Sequence, residues 1–359
     1  MRIAVVYVEP VPTPPAEHWL SRSPAANPDH MGEFCDSSES SALPDVERIS
    51  VSLKEAGYEV RCFPADDVAS LYACAEGYQP QLVFNVCDSF AGRAALEMNV
   101  PAFFELFDVP CTGSSSLTLG VAQNKALAKS VLRSQGIPTP MNVVVAPGEG
   151  PAEAAKLGFP LIVKPVAEDA SVGIDDGAVV HDAAALAARI RFVWREFGQA
   201  ALVEKFIEGR EFHVSLLAKC PGEFDVLPIS EVDFSALGPD RPRILGYESK
   251  WGDGLDRNRA PAIYGPAQLE ARCAAVIAHY AVAAARAVGL CDYGRVDLRV
   301  SANDSAPFVL EVNPNPDLNP DCAFARAALA SGRSYGDTIR EIAARAMERA
   351  SAMPAGWSL

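Results

Sequence analysis

CDYGRVDLRVSANDSAPFVLEVNPNPDLNP, residues 291–320, reads as two strands with a turn between them. In 294–300 apolar and charged residues alternate at the strand period of two, 301–305 is a polar turn, and 308–313 forms the second strand. Paired antiparallel, the strands bring Asp297 near Glu311, and i, i+2 spacing puts Glu311 and Asn313 on one face. Two carboxylates and an amide then converge beside Arg295. Such hard oxygen donors suit Mg²⁺ shared with phosphate oxygens, with Mn²⁺ as a substitute. A hairpin with charges on its wet face spells the same pattern. Pro314 and Pro316, however, stop the second strand directly after Asn313 and place the polar cluster at the mouth of a loop, where sites gather.

The rest of the composition bounds the class. A chain of 359 residues that is 49 % hydrophobic can bury two or three lobes. Lys+Arg 31 against Asp+Glu 46, a net charge of −15, excludes a general nucleic-acid or anionic-membrane surface. The few basic residues therefore carry information one by one. Nine cysteines are scattered without a C-x-x-C pair or ligand-like spacing to the five histidines, which points to reduced thiols in the cytoplasm. The opening MRIAVVYVEP is too short and wrongly flanked for a signal peptide, and no apolar run approaches membrane length.

Along the chain the order is α/β. Strand 2–8 is a continuous apolar run, the pattern of a strand buried on both faces of a parallel sheet. Residues 9–44 are rich in Pro, Ser, Ala and Asn and form either a lid or a disordered insertion. Helix 46–56, capped by Asp45 and ended by Gly57, strand 59–63, a helical piece at 66–74, strand 82–86 and helix 91–107 complete a small doubly wound unit, 1–112. A central lobe, 113–200, holds helix 118–135, strand 159–165 and helix 183–197 under the cap of Asp182. The last lobe, 201–359, holds a strand running into a short loop over 201–212, strands 211–218 and 224–234, helix 267–288, the hairpin, and helices 323–330 and 335–350. No G-x-x-x-x-G-K-[ST] phosphate loop occurs, and Gly252 and Gly254 are too sparse for a dinucleotide fingerprint.

The RVDLR…EVNPNP hairpin resembles the metal-binding core of the ATP-grasp ligases, most closely the D-alanine–D-alanine ligase branch. Further stretches resemble the same family in the same order, and together they cover most of the chain from Pro110 onward. The resemblance implies an ATP-grasp fold in which Asp297, Glu311 and Asn313 hold Mg²⁺ and Arg295 steadies the phosphoryl and tetrahedral species. Thr112-Gly113-Ser114 followed by Lys125 matches the lysine that reaches the nucleotide phosphates, although an exposed helix lysine has the same local pattern. Lys164 in FPLIVKP matches the α/β-phosphate lysine, against a wet strand end, and Ser171-Val172-Gly173 matches the end of the loop over the phosphates. In ALVEKFIEGREF, against a plain edge strand, Glu204, Lys205, Phe206 and Ile207 would offer adenine their backbone and Glu211 would meet the ribose hydroxyls. Lys250 in YESKW matches a mobile-loop lysine on the terminal phosphate, against an ordinary loop lysine.

The activity implied is an ATP-dependent carboxylate–amine ligase working through an acyl phosphate, with small-molecule carboxylate and amine substrates and a homodimeric state. The substrate end departs from the family. Glu9-Pro10-Val11-Pro12 and 85–90, NVCDSF, stand where it has a glycine-rich opening and an HGxxGEDG-like stretch. Asp317-Leu318-Asn319-Pro320-Asp321 stands where it has a glycine and small hydroxyl residues. Negative charge there is hard to reconcile with D-alanine as acceptor and would attract a cationic amine; another amino acid or a dipeptide stays open beside a small amine. A non-catalytic regulatory nucleotide binder, and an ATP-grasp enzyme with a non-amine acceptor, are the competing readings.

Overall fold

A computed structural model of the protein describes residues 1–8, 42–168, 171–238, 241–246, 261–301 and 307–352. The insertion expected at 9–44 lies outside the described residues up to 41, and Lys250 lies outside them too. The first sheet is parallel, order β2-β1-β3, from β1 (Arg2–Tyr7), β2 (Glu59–Pro64) and β3 (Leu82–Asn85). Its apolar runs follow from cover on both faces. Ile3, Val5 and Phe84 meet α1 (Ala42–Glu55), while Ala4, Val6 and Val83 meet α2 (Val68–Tyr72) and α3 (Asn99–Glu105).

Three local expectations need correction. Asp45 lies within the first turn of α1, not at its cap, because Ala42 already begins the helix. The helix expected over 91–107 shrinks to α3, because Ala91 and Gly92 take positive φ (52° and 67°) and turn the chain first. Helix 118–135 is two helices, α4 (Ser116–Gln123) and α5 (Lys125–Ser134). Asn124 leaves helical geometry and its side chain accepts from the Leu127 N–H, capping the second helix at the cost of the first.

The second sheet, order β4-β7-β5-β6, comprises β4 (Asn142–Val145), β5 (Leu161–Pro165), β6 (Val179–Val180) and β7 (Ala201–Lys205). Besides the short α6 (Ala152–Ala155), its cover is α7 (Ala183–Phe197), whose Asp182 cap is as expected. Leu161, Val163, Ala201 and Val203 pack on Leu186, Ile190 and Val193, so the alternate residues Ile162, Lys164 and Glu204 face the other way. Gly173 is required between β5 and β6. At φ +72 a Cβ there would stand 2.6 Å from Pro165 Cγ and 2.9 Å from Phe197 Cζ.

The third sheet runs β11-β10-β8-β12-β13, with β9 also on β8. Its strands are β8 (Arg210–Cys220), β9 (Glu223–Val226), β10 (Ser230–Asp233), β11 (Ala262–Tyr264), β12 (Tyr293–Val300) and β13 (Phe308–Asn313). The single strand expected over 224–234 is thus two, split around Pro228, which has no N–H to donate to a ladder. One face, with Phe212, Val214, Leu216, Val296 and Leu298, packs on α8 (Ala271–Val288), which starts four residues later than expected. By length and composition α8 could cross a membrane, but Ile277, Ala281, Ala284, Ala285 and Val288 are buried against this sheet, as in a core helix. The opposite face therefore carries Glu211, His213 and Ser215 beside Arg295, Asp297 and Arg299.

The closing helices α9 (Ala323–Ala330) and α10 (Tyr335–Ala352) return to the first sheet, with Phe324, Ile339, Ile342 and Ala343 in the cluster around Ile3 and Phe84. Arg349 on α10 clasps Asp292 at 2.9 Å through both Nε and Nη2, and Asp292 also accepts from the Gly113 N–H. Asp292 is buried, Arg349 a quarter exposed. Asp292→Ala is expected to cost about 3 kcal/mol, the lower end for breaking a buried pair, read as a fall in the urea midpoint at unchanged slope.

Candidate active site

The polar faces of the second and third sheets line a cleft with roughly 640 Å³ of open space. Among its walls are Lys164, Ser171, the segment 204–207, Glu211, His213, Asp297, Arg299 and Glu311. Strand register explains the convergence: Asp297 stands opposite Glu311 and Arg295 opposite Asn313, while His213 pairs with Asp297 and Glu211 with Arg299. A shift in register between Asp297 and Leu298 interrupts the ladder just past the acids.

Asp297 is held firmly. Arg295 donates to both its oxygens, at 2.8 and 2.9 Å, and Asn313 Nδ2 donates at 3.1 Å. Burial opposes the charge of Arg295, but Asp297 and Glu311 outweigh it and hold its pKa above the ordinary value. No group of three or more His, Cys, Asp or Glu side chains forms a metal cage among the described residues. The Asp297–Glu311–Asn313 oxygens nevertheless fit Mg²⁺, which completes its shell with phosphate oxygens and water. Asp297 must then share an oxygen with the cation that it now gives to Arg295 or Asn313.

At the inner edge of the cleft lies a cationic knot. Glu204, 1 % exposed, faces Lys129 Nζ at 2.8 Å through Oε1 and Lys164 Nζ at 2.9 Å through Oε2. Neither oxygen has a well-aligned hydrogen bond, so charge rather than direction carries the attraction. Lys129 Nζ also donates to Thr139 Oγ1 at 3.0 Å and to Leu310 O at 2.8 Å. Burial would raise the Glu204 pKa, yet the two lysines pull it below the usual range. Burial, helped by Lys164, depresses the Lys129 pKa against the pull of Glu204. Two ammoniums against one carboxylate leave one buried positive charge in excess, a setting in which phosphate oxygens are strongly favoured.

The remaining sequence candidates fall as follows. Lys125, the first residue of α5, lies 3.6 Å from Glu311 Oε2 and its N–H donates to Val166 O. Ser171 takes φ 65 and its Oγ donates to Leu245 O at 2.9 Å. The Lys205 ammonium is engaged by Gly158 O and Phe159 O, while the N–H groups of Lys205 and Phe206 bond Met141 O and Pro160 O. Glu211 lines the cleft but pairs with Arg299 at 2.8 Å. Lys129, His213 and Arg299 were not singled out from sequence. Period-two alternation from Arg295 and Glu211 would have placed Arg299 and His213 on the polar face. Lys129, one turn on from Lys125, had the signal of i, i+4 spacing.

Comparison with known proteins gives this geometry a context. The family model for the D-Ala-D-Ala ligase C-terminus matches residues 131–344. The chain belongs to the D-alanine–D-alanine ligase family. Among relatives, a D-alanine–D-alanine ligase of Desulforudis audaxviator is 33% identical over 253 residues, 70% of this chain and 77% of the relative. An uncharacterized protein, y4sG, of Sinorhizobium fredii is 33% identical over 305 residues, 83% of this chain and 85% of the relative. The crystal structure of D-alanine–D-alanine ligase from Bacillus anthracis complexed with ATP superposes with a TM-score of 0.73 at 23% identity, over 98% of both chains. The fold of this family member is the ATP-grasp fold, α/β in class, as its sequence led one to expect.

Proposed function

We propose that this D-alanine–D-alanine ligase family member is an ADP-forming carbon–nitrogen ligase that activates a carboxylate with ATP and joins it to an amine. The observation that carries the reading is the facing of opposites across one cleft: Lys164 on the second sheet, paired with the buried Glu204, and Asp297, Glu311 and Asn313 on the third, with Lys129 at the inner edge where the two sheets meet. The γ-phosphoryl group passes to a carboxylate oxygen, giving an acyl phosphate and ADP. The amine nitrogen then bonds to the acyl carbon, phosphate leaves with the bond it held, and the amine gives up a proton. Lys164 binds the polyphosphate, with the buried Lys129 adding positive charge behind it; Arg295, fixed by Asp297, meets the oxygen that gains charge. Mg²⁺, when bound by Asp297, Glu311 and Asn313, neutralises phosphate charge. Lys125, Ser171 and Lys250 belong to the same nucleotide reading, as do the adenine-facing segment 204–207 and the ribose-facing Glu211. Cytoplasmic action, a homodimer and the three lobes 1–112, 113–200 and 201–359 complete it.

The acceptor is a cationic amine. Asp317 is exposed beyond the metal triad, and its carboxylate is set by the Asn319 N–H at 2.7 Å and Cys322 Sγ at 3.1 Å. Exposed Asp321 follows it. A free substrate carboxylate would be repelled here. Asp317→Asn is expected to raise the acceptor KM about tenfold, a charge-assisted bond lost, with the ATP KM unchanged.

The deciding experiment follows ADP and phosphate released from Mg-ATP with pools of carboxylates and amines, with hydroxylamine as trap. A hydroxamate dependent on one carboxylate establishes the acyl phosphate. ATP binding with no turnover in any pool would leave a nucleotide-binding regulator as the better reading, and an acylated product without nitrogen would point to a non-amine acceptor.

A further inference from the structure

Arg299 is buried at the floor of the cleft, 3 % exposed, and its guanidinium is wholly spoken for. It contacts Glu211 Oε2 at 2.8 Å, donates to Ile207 O at 2.9 Å and donates to Arg243 O. Its charged carbon lies 5.0 Å from the centre of the Phe206 ring and 5.6 Å from that of Phe234. Burying a guanidinium is costly unless its donors are satisfied, and here they converge on one carboxylate and two carbonyls. The arrangement ties three segments together: the turn after β7, the start of β8, and the stretch that precedes residue 247.

Its effect falls on Glu211. One carboxylate oxygen is taken by the guanidinium, while Oε1 stands 3.6 Å from His213 Nε2, which is itself buried. A glutamate side chain has three rotatable bonds and, unrestrained, many orientations. Clamped on one side and flanked by an imidazole on the other, it keeps one orientation and its full negative charge. Burial alone would favour the neutral acid, but Arg299 and His213 bring its pKa down to about 2. A fixed carboxylate on a cleft wall accepts O–H donors at defined positions, as a vicinal diol presents them.

We propose that Arg299 is a positioning residue that sets Glu211 to read the ribose hydroxyls of the nucleotide, and so makes the cleft selective for ribonucleotides over deoxyribonucleotides. This rests on the reading that a nucleoside triphosphate occupies the cleft. A merely structural Arg299 would, on replacement, weaken both kinds of nucleotide alike. A positioning Arg299 changes the ratio between them.

The test is calorimetric binding of Mg-ATP and Mg-2′-deoxy-ATP to the full chain and to Arg299→Met, Arg299→Lys and Glu211→Gln. The parent protein is expected to favour ATP by about tenfold or more, since a charge-assisted bond to the 2′-hydroxyl is at stake. In Arg299→Met that preference falls below about twofold while 2′-deoxy-ATP affinity moves less than about threefold. Arg299→Lys, which keeps the charge but not the planar fork, also loses most of the preference. Glu211→Gln loses it too, and adding Arg299→Met to Glu211→Gln changes the ratio no further, since both act on one contact. Should Arg299→Met fail to fold, Arg299→Lys and Glu211→Gln carry the comparison. An unchanged preference in the arginine variants, or no preference in the parent protein, overturns the proposal while leaving the nucleotide reading intact. Failure of the parent protein to bind either nucleotide overturns the nucleotide reading itself.

Discussion

Glu311→Gln is expected to lower turnover at saturating ATP by about 10²–10³-fold, the usual size of effect when one charge-stabilising group is removed from a transition state. The substitution keeps the shape of the side chain and takes away a full negative charge opposite Asp297. The fold should barely register it. Glu311 is one third exposed, and its contact with Lys125 spans 3.6 Å, so the stability change is expected to stay below about 1 kcal/mol. Nucleotide affinity should fall far less than turnover, because Lys164 on the facing sheet remains. Measuring ADP release alongside calorimetric ATP binding separates the two. Equal losses in both would mean that Glu311 serves binding only, and unchanged turnover would remove it from the chemistry.

Glu204→Gln is expected to be the most destabilising single change in the cleft, about 3–5 kcal/mol, because it leaves two ammoniums buried with no carboxylate between them. The pH dependence distinguishes this cause from a packing defect. Without Glu204, burial and the neighbouring ammonium push the Lys129 pKa further down, so the folded state gives up a proton that the unfolded chain keeps until about pH 10.4. When the unfolded state binds more protons, stability rises with pH. The deficit of the variant should therefore shrink between neutral pH and pH 10, more steeply than any change in the parent protein. Mg-ATP should shrink it as well, since phosphate oxygens replace the missing charge and ligand binding to the folded state adds stability by mass action. A deficit indifferent to both pH and ATP would mean that Glu204 acts through packing alone.

How much of this could be read from the sequence depended on what each residue answers to. Asp297 and Glu311 came out as cross-strand neighbours because side-chain direction in a strand is fixed by a period of two, and proline stops the second strand. The same rule reaches Arg299 and His213, which share that polar face. Lys125 and Lys129 show a different limit. Both sit on the same face of α5 one turn apart, and only the packing of that helix against β7 and β13 shows that Lys129, not Lys125, meets Glu204. Glu204 was singled out for its backbone, since nothing local says that a glutamate in an apolar strand will find two lysines from distant segments.

Lys129 has one more consequence, a mechanical one. Its ammonium touches Glu204 on β7, Thr139 ahead of β4 and the Leu310 carbonyl on β13, so one atom is anchored to both of the sheets that bound the cleft. Thr139 is itself fastened to β13, its Oγ1 donating to Val309 O at 2.8 Å while Val309 N donates to Pro138 O. The inner edge of the cleft is thereby riveted. Any change in its width has to be a swing about that edge, like a book opening on its spine, and the distance between Lys129 and Glu311 on β13 stays nearly constant while the far rim moves.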